Sequence, residues 1–455
     1  MNITLKNKCK IEGLNKYIVP ELTKKLTIAN PVFGKKMDLQ LSVFGVAQYL
    51  KFYELPDERT IIIPIGAYQE IYKSLEDLGE KPDKATITDE RAEFLNDPYF
   101  STLKFTGDLR DYQAETVQAC LKTTNGVIES MTGSGKTVIF VALTVERKQP
   151  TLILVNTIEL VNQTVASFLK FTNIENKDIG FIGSGKFIIK PITIALHQTM
   201  AKLSKEQFIE INSNFSQIIA DETHNVAAAT YYKTMSTLTA KYKFGFSATP
   251  KRGDGLTQVI HYATGPTIHV VPKEQLVDVL IKPVYRVVET NYTYPLLSSS
   301  EYQYMISDLS SNAERNAFIT NYWLENYNGK STIMLCLRLT QVRALHKAFP
   351  NNSAILHSLM KKPDRKETIR QITTGEKEIC ISTYGLFSTG IDVPRLEVLM
   401  LCAPMRSEIK LKQSAGRLMR MCDGKTSASI VDFADKKVDL LKYQFYTRQR
   451  ILKNL

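Results

Sequence analysis

The sequence predicts an α/β protein in which two parallel-sheet domains follow one another and a small α+β domain precedes them. In the two larger parts, short apolar runs alternate with stretches of helical periodicity. Continuous apolar strands that alternate with helices are typical of a parallel sheet covered on both faces. The first 97 residues lack this alternation. We therefore expect three domains, over residues 1–97, 98–270 and 271–455.

The N-terminal part is expected to combine a few strands with a helix. Two strands are predicted over residues 47–54 and 61–65, on either side of a turn-rich segment. A helix follows from residue 68, because its apolar side chains fall on one face, and residues 79–84 have the composition of a polar linker. Several lysines lie near the start of this part. Contact with nucleic-acid phosphates and simple solvation both stay open as interpretations of these lysines.

Five strands are predicted in each larger domain. In the first they cover residues 126–129, 152–155, 192–195, 217–220 and 243–246, and in the second 332–337, 353–356, 378–382, 398–401 and 429–432. Residues 271–310 are expected to form a bridging region. Its tyrosines, Tyr292, Tyr294, Tyr302 and Tyr304, are interpreted as packing side chains, with base stacking as the alternative.

A glycine-rich loop follows the first strand of the first large domain. The segment from Ser130 to Thr137 reads Ser-Met-Thr-Gly-Ser-Gly-Lys-Thr, with Ser130 where the strict phosphate-loop pattern has glycine. Backbone N–H groups of such a loop surround phosphates, the lysine reaches the β- and γ-phosphates, and the final hydroxyl binds Mg²⁺. The predicted ATP contacts of the loop are Thr132, Gly133, Ser134, Gly135, Lys136 and Thr137.

An acidic pair follows the fourth predicted strand of the same domain. Asp221 and Glu222 come directly after Gln-Ile-Ile-Ala. Since ligands of open α/β sheets bind at the carboxyl ends of strands, we expect the pair to lie near the loop. Asp221 is predicted to hold Mg²⁺ and Glu222 to activate water.

A second Gly-Ser-Gly-Lys segment, residues 183–186, is followed by Phe187 instead of a hydroxyl, so we expect a surface turn there.

A basic segment lies near the end of the second large domain. Arg417 and Arg420 are three residues apart and would share a face of a helix. Two guanidinium groups directed at one point suit a γ-phosphate in its transition state, and Gln413 is predicted to order the attacking water. The alternative is a solvated helix face. The predicted catalytic residues are thus Glu222, Gln413, Arg417 and Arg420.

Composition narrows the class of protein. The net charge is +12, with 58 Lys and Arg against 46 Asp and Glu, and a basic surface favours polyanions. No apolar run is long enough to span a membrane, and the N-terminus has no apolar signal core. The six cysteines form no C-x-x-C pair, which argues for reduced thiols over a zinc site or disulfides. We expect a cytoplasmic protein that contacts no membrane.

The motif order from about residue 105 to 435 resembles that of the superfamily 2 helicases of the DExH-box class. Segment 109–113 resembles the adenine-contacting Q motif, and 247–252 the motif that couples hydrolysis to strand grip. Three further segments resemble those of the phage branch-migrating helicases of the UvsW type: Asp-Glu-Thr-His, Ala-Thr-Pro-Lys-Arg-Gly-Asp-Gly and Val-Asp-Phe-Ala-Asp. XPB and the restriction-enzyme translocases are more distantly related to that type. The sequence departs from the pattern at Asn156, where proline is usual.

The resemblance assigns further roles by motif. It implies ATP contacts for Arg110, Gln113 and Asp392, and coupling roles for His224, Ser247 and Thr249. It implies nucleic-acid contacts for Asn156, Thr157, Thr199, Arg338 and Thr383. The implied fold is a pair of RecA-like lobes, with ATP and Mg²⁺ as cofactors and with Arg417 and Arg420 supplied by the second lobe. The resemblance also implies that the accessory domain, residues 1–97, binds duplex or branched DNA.

The implied activity is that of an ATP-dependent DNA motor. Its expected substrates are single-stranded, forked or junction DNA in replication, recombination and repair, in the cytoplasm of a phage-infected bacterium. A monomer that meets replication and recombination proteins is expected. Three alternatives stay open: an RNA helicase, the motor of a restriction-type translocase, and a binding protein with an inactive ATPase core.

Overall fold

A computed structural model describes residues 1–94, 98–223, 228–248, 255–276, 280–295, 301–387 and 393–454. The chain divides into two compact units. The first comprises Met1–Met131 and Gly135–Val271, and the second comprises Pro272–Leu455 together with Thr132–Ser134. Both units carry mostly parallel sheets flanked by helices, so the predicted α/β class is confirmed. Among the described residues, no helix has the length and apolar character needed to cross a membrane.

The N-terminal elements build a five-stranded sheet in the order β5-β6-β2-β1-β7. The elements are β1 (Asn2–Leu5), β2 (Lys8–Glu12), α1 (Val19–Lys25), β3 (Thr27–Ala29), α2 (Pro31–Asp38), β4 (Tyr49–Lys51), β5 (Glu54–Asp57), β6 (Thr60–Pro64), α3 (Tyr68–Asp77) and β7 (Thr86–Asp89). The predicted strand 47–54 is divided, because β4 pairs with β3 and β5 pairs with β6. The sheet also continues beyond the predicted linker, since β7 pairs with β1 in parallel.

The rest of the first unit is an eight-stranded sheet in the order β11-β10-β12-β9-β13-β14-β8-β15, parallel except for β11. The elements are α4 (Pro98–Thr102), α5 (Asp111–Leu121), β8 (Asn125–Glu129), α6 (Lys136–Arg147), β9 (Thr151–Val155), α7 (Ile158–Phe171), β10 (Ile179–Gly183), β11 (Lys186–Ile188), β12 (Ile192–Leu196), α8 (His197–Met200), α9 (Lys205–Asn214), β13 (Gln217–Asp221), α10 (Ala228–Thr237), β14 (Tyr242–Ser247), α11 (Thr257–Thr264) and β15 (Thr267–Val270). All five predicted strands are confirmed.

Residues 183–186 form the predicted turn and not a second phosphate loop. They connect β10 to β11 as an antiparallel hairpin in which Gly183 is opposite Lys186. Ser184 and Gly185 both have positive φ, 51° and 81°. Two central residues with positive φ are typical of the tight turns that join antiparallel strands. No helix starts at Lys186, so this lysine has no helix N-terminus beside it.

The N-terminal sheet packs directly on α11. Tyr262 of α11 belongs to the same hydrophobic core as the strands of that sheet. Phe52 contacts Tyr262 and Tyr232, with ring centroids 5.0 and 5.1 Å apart, and the Tyr262 hydroxyl donates to the Lys25 carbonyl at 2.8 Å. A Cβ added at Gly66 would lie 2.6 Å from the Tyr262 carbonyl oxygen. This close packing explains why the N-terminal elements and the eight-stranded sheet form one compact unit.

The second unit contains a six-stranded parallel sheet in the order β16-β21-β20-β17-β19-β18. The elements are β16 (Val284–Glu289), α12 (Tyr302–Ser311), α13 (Ala313–Tyr327), β17 (Thr332–Cys336), α14 (Leu339–Ala348), β18 (Ser353–Leu356), α15 (Lys362–Thr374), β19 (Ile379–Thr383), α16 (Tyr384–Phe387), β20 (Val398–Leu401), α17 (Glu408–Leu418), β21 (Ser429–Ala434) and α18 (Asp439–Lys453). The five predicted strands are confirmed. The bridging region adds β16, and Tyr292 is buried there, donating from its hydroxyl to Asp308 at 2.7 Å.

Two buried ion pairs attach helices to the end of β21. Arg315 of α13 donates to both oxygens of Asp435 at 2.7 and 3.0 Å, and to the Cys402 carbonyl at 2.8 Å. Arg448 of α18 donates to Asp432 at 2.8 Å. All four charged side chains are almost completely buried. The Val-Asp-Phe-Ala-Asp segment that carries part of the family resemblance is therefore structural in this protein.

Replacing Asp435 with alanine is expected to destabilise the second unit by about 3–5 kcal/mol, because Arg315 would keep a buried charge without a partner. The measurement is urea unfolding followed by the fluorescence of Trp323, the only tryptophan of the sequence, which is buried in this unit. The control is Arg370→Ala, which removes an exposed pair on α15 and should leave the midpoint unchanged. Equal midpoints for both variants would contradict the structural role of Asp435.

Candidate functional site

The glycine-rich loop joins β8 to α6 in a conformation that needs glycine. Gly133 and Gly135 have φ of +94° and +78°, values that side chains with a Cβ rarely adopt. Gly135 is the N-cap of α6, and Lys136 is the first residue of that helix. The first N–H groups of a helix have no partner within the helix, so they are available to an anion at this end. The loop therefore has the geometry of a phosphate site.

The Q-motif residues lie against this loop. The Gln113 side-chain oxygen accepts a hydrogen bond from the Arg110 N–H at 3.0 Å, at the start of α5. A Cβ added at Gly135 would lie only 2.6 Å from Gln113 Nε2 and 4.0 Å from a terminal nitrogen of Arg110. Gly135 is thus required both by its φ and by its neighbour. The structure places Arg110 and Gln113 beside Gly135 of the loop, and their contact with ATP stays a prediction.

The acidic pair lies at the same edge of the sheet. Asp221 is the last residue of β13, and only β14 separates β13 from β8 in the sheet. Lys136 Nζ lies 2.6 Å from Glu222 Oε1, and both side chains are buried. Glu222 has φ of +48°, which is uncommon for a residue with a Cβ and costs backbone strain. A candidate cation and a candidate base are therefore held at one point beside the loop.

Ser247 at the end of β14 connects the two sides of this site. Its carbonyl oxygen accepts a hydrogen bond from the N–H of Ser130, the first residue of the loop, at 3.0 Å. β14 is hydrogen-bonded to β8 on one side and to β13 on the other. The segment assigned to coupling therefore starts in direct contact with the candidate phosphate site.

The oxygen donors of the site suit magnesium. Thr137 and Asp221 offer a hydroxyl and a carboxylate beside the loop, and Mg²⁺ prefers oxygen ligands. Within the described ranges, no group of three or more His, Cys, Asp or Glu side chains is arranged to hold a metal without other ligands. Mg²⁺ is usually bound by one or two protein side chains together with substrate phosphates, so this donor set fits it.

Three residues predicted to contact nucleic acid follow strands of the same sheet. The Asn156 side chain donates to the Glu222 carbonyl at 3.4 Å, so it lies beside the acidic pair. Thr157 is the N-cap of α7, and its hydroxyl accepts from the Leu160 N–H at 3.3 Å. Thr199 lies in the short helix α8, directly after β12. All three are at the carboxyl edge of the sheet, and the Asn156 contact suggests an additional role in positioning Glu222.

The second unit contains the candidate arginines, and one expectation about them is wrong. Gln413 and Arg417 are one turn apart in α17 and are both buried. α17 ends at Leu418, so Arg420 lies beyond the helix, in a bridge with Leu280. The rule that residues three apart share a face applies only while the helix continues. Arg417 and Arg420 therefore do not share a helix face.

Lys425 holds the backbone after α17 and was not predicted. Its ammonium donates to the Leu418 carbonyl, to the Arg420 carbonyl at 2.9 Å and to the Pro394 carbonyl at 3.3 Å. Burial lowers the pKa of Lys425 to about 8. The lysine fixes the turn that carries Arg420. A single lysine in a polar stretch gives no sequence signal for such a role.

The remaining predicted residues divide into two groups. Arg338 is the N-cap of α14, with its guanidinium bonded to the Gln303 side chain, and Thr383 is the last residue of β19. Arg338 follows β17 and Thr383 ends the neighbouring strand β19, so both lie at the carboxyl edge of the second sheet. His224, Thr249 and Asp392 lie outside the described residues.

Comparison with known proteins identifies two matching domain families. Residues 106–252 match the family described as Type III restriction enzyme, res subunit, and residues 314–422 match the Helicase conserved C-terminal domain. The chain is 27% identical over 430 residues to "Putative ATP-dependent RNA helicase L396" of Acanthamoeba polyphaga mimivirus, covering 91% of this chain and 80% of that protein. It is 24% identical over 406 residues to "ATP-dependent DNA helicase uvsW" of Enterobacteria phage T4, covering 82% and 79%.

The fold is also that of a solved helicase structure. The structure described as S. cerevisiae Dbp5 bound to RNA and ADP BeF3 superposes with a TM-score of 0.55 at 16% identity, covering 76% of this chain and 88% of that chain. At this identity the likeness concerns the fold of two tandem RecA-like lobes. The two matching domains occur in the order that the motifs predicted, and the first contains the phosphate loop and the acidic pair. The chain belongs to the superfamily 2 helicases, which hydrolyse ATP.

Proposed function

We propose that this helicase is an ATP-dependent DNA motor that remodels forks, displacement loops and four-way junctions. The observation that carries the hydrolytic part is the contact of Lys136 with Glu222 beside the phosphate loop. The net charge of +12 supports binding to a nucleic-acid backbone. The similarity to a T4 protein named as a DNA helicase supports DNA as the substrate and a phage origin acting in the bacterial cytoplasm.

In this proposal the first lobe binds the nucleotide. The N–H groups of residues 132–135 and the Lys136 ammonium bind the phosphates, while Arg110 and Gln113 contact the adenine. Thr137 and Asp221 would hold Mg²⁺, which would supply positive charge to stabilise the phosphate oxygens. Asp392 contacts the nucleotide in the role that the resemblance assigns to it.

The Lys136–Glu222 pair gives the site an order of events. The Lys136 ammonium starts on the Glu222 carboxylate, and the negative charge of bound phosphate would draw it away from that carboxylate. Glu222 can then accept a proton from water as that water attacks the γ-phosphorus and the bond to the β-phosphate oxygen breaks. ADP and phosphate leave, and the proton returns to solvent.

The second lobe completes the chemistry in this proposal. Arg417 and Arg420 stabilise the charge on the γ-phosphoryl group, and Gln413 orients the water. His224, Ser247 and Thr249 couple hydrolysis to the grip on one strand. The strand contacts are Asn156, Thr157, Thr199, Arg338 and Thr383. The protein acts as a monomer that meets replication and recombination proteins.

RNA is the second candidate substrate, because the mimiviral relative is named as an RNA helicase. We expect ATP hydrolysis to be stimulated by DNA more than by RNA, and by forks and four-way junctions more than by linear duplex. The measurement is ATPase activity with single-stranded, duplex, forked and four-way-junction DNA of matched length, with RNA alongside. Stronger stimulation by RNA would replace the DNA proposal with the RNA one.

Affinity for DNA should fall steeply with salt and vary little with sequence, because contacts to phosphates release counterions. The measurement is fluorescence anisotropy of labelled DNA from about 50 to 200 mM salt, over which 6–10 phosphate contacts lose about 10³ to 10⁵ in affinity. A matched set of unrelated sequences is the control. A flat salt response, or a strong preference for one sequence, would contradict a motor that grips the backbone.

Glu222→Gln and Lys136→Ala are expected to separate catalysis from binding. The glutamine variant should bind ATP and lose about 10²- to 10⁴-fold in turnover, since only the base is removed. The alanine variant should lose hydrolysis together with most ATP affinity. Nucleotide binding and steady-state ATPase are measured side by side. Lys186→Ala is the control, because Lys186 belongs to the second Gly-Ser-Gly-Lys segment, which forms a hairpin turn and not a phosphate loop. This variant should behave as wild type. Near-normal turnover of the Glu222 variant would refute its role.

Arg417→Ala and Arg420→Ala are each expected to keep ATP affinity and lose about 10³ to 10⁵ in stimulated hydrolysis, the usual effect of removing an arginine finger. Lys412→Ala is the control, because it removes a partly exposed cation of α17 that pairs with Glu408 at 2.9 Å. ATP binding is measured beside DNA-stimulated ATPase. Retained stimulation in both arginine variants would mean that another group stabilises the γ-phosphate.

A further inference from the structure

Residues 30–48 form an excursion from the N-terminal domain, which we call the protrusion. It leaves the two-stranded pair β3–β4 and returns to it. Asn30 closes its base: its N–H donates to the Gln48 carbonyl at 2.9 Å and its side-chain nitrogen to the Ala47 carbonyl at 2.7 Å. Its side-chain oxygen accepts from the Val32 N–H at 3.0 Å and caps α2. These bonds give the protrusion a defined base.

The protrusion exposes apolar side chains and buries none. α2 has no buried residue, and none of residues 30–48 is buried. Its exposed large apolar side chains are Val32, Met37, Leu39, Leu41 and Phe44. Phe44 is 95% exposed, the largest exposed fraction among the exposed large hydrophobic residues of the described chain. Apolar side chains concentrated in this way on a surface usually mark an interaction site.

The charge around the protrusion selects the kind of partner. Residues 24–51 contain five lysines and one acidic residue, Asp38. Lys35 and Lys36 lie in the last turn of α2, on the protrusion itself. A second copy of this chain would bring the same positive charge to the contact and would be repelled. A polyanion with flat apolar surfaces is complementary to this combination, and nucleic acid with unpaired bases has both properties.

The protrusion is held in place against the first lobe. Pro31, the first residue of α2, lies close to Gly255, because a Cβ added there would be 3.5 Å from Pro31 Cγ. Gly255 follows the segment 247–252 that is assigned to coupling. The contacts of Phe52 and Lys25 with Tyr262 attach the domain to α11. The base of the protrusion therefore lies beside Gly255, in a domain that is packed on α11.

We propose that the protrusion binds the branch point of a nucleic acid, with the Phe44 ring stacked on a base exposed where the strands separate. Lys35 and Lys36 contact the phosphates beside that base. An aromatic ring stacks on any base, so the contact recognises unpaired structure without reading sequence. Apolar side chains can also wedge between bases and hold them apart. This inference rests on the proposed function and assigns branch selection to residues of the N-terminal domain.

The test compares Phe44→Ala with Tyr17→Ala, a change to another exposed aromatic ring of the same domain that lies outside the protrusion. Affinities for a synthetic fork and for a single strand of the same length are measured by fluorescence anisotropy. We expect the Phe44 variant to lose about 5- to 150-fold in fork affinity, the factor that stacking of one base supplies. The ratio of fork to single-strand affinity should fall with it. Phe44→Trp should retain fork binding, and Tyr17→Ala should match wild type.

A second variant tests the phosphate contacts. The double change Lys35→Ala and Lys36→Ala should lower the slope of log affinity against log salt for the fork by about 2. Truncation of residues 1–97 is a poor substitute for these variants, because it would uncover Tyr262 and its neighbours on the first lobe. Circular dichroism melting confirms that each point variant is folded.

Each outcome has a defined meaning. Unchanged fork affinity in the Phe44 variant would overturn the inference, and so would an equal loss on fork and single strand. If Phe44→Ala altered only self-association in sedimentation, the protrusion would be a protein contact and the inference would fail. The ATPase of the wild-type protein with single-stranded DNA is measured in parallel. If no DNA stimulates it, the proposed function itself has failed, which is distinct from failure of the branch contact.

Discussion

The contact between Lys136 and Glu222 is the constraint on which the candidate site depends. These residues are 86 positions apart in sequence, and they meet because β8 and β13 end at the same edge of one sheet with β14 between them. A buried charge is stable only with a partner, so each side chain fixes the position of the other. Glu222 also has a positive φ, which is a strained conformation for a residue with a Cβ. Such strain is maintained where function requires a particular geometry.

Buried ion pairs in the second unit have a different purpose. Arg315 and Arg448 are bound to Asp435 and Asp432 by several short hydrogen bonds, and neither carboxylate has accessible surface left for a ligand. They attach α13 and α18 to the strand β21. Arginines in motif-like segments can therefore be structural or catalytic, and the distinction depends on what each guanidinium contacts. The family resemblance alone does not make that distinction.

All ten strands predicted in the two larger sheets exist, because most of them are short apolar runs that lie buried in the sheet. They include the edge strand β18, whose side chains are mostly buried, whereas the interior strand β10 was missed. β16 was missed because it is an edge strand whose side chains are mostly exposed. The loop and the acidic pair were found by their own residue patterns. Arg420 was predicted to lie on a helix, but that helix ends two residues earlier. Lys425 fixes the turn that follows by donating to three backbone carbonyls, and no local sequence pattern predicts such a role.

The attachment of the N-terminal sheet to α11 places the protrusion in the same compact unit as Ser130, Lys136 and the acidic pair. The Ser130 N–H binds the carbonyl of Ser247 at the end of β14, and the chain continues from there to Gly255, beside Pro31 of the protrusion. The Ser130–Ser247 hydrogen bond and the proximity of Pro31 to Gly255 are thus described, whereas residues 249–254 between them lie outside the described residues. Two sites of one unit are coupled only if both bias the same two-state element. For this protein the two ligands would be nucleotide at the loop and a branched strand on Phe44, and coupling requires that both favour the same state of the unit that carries them.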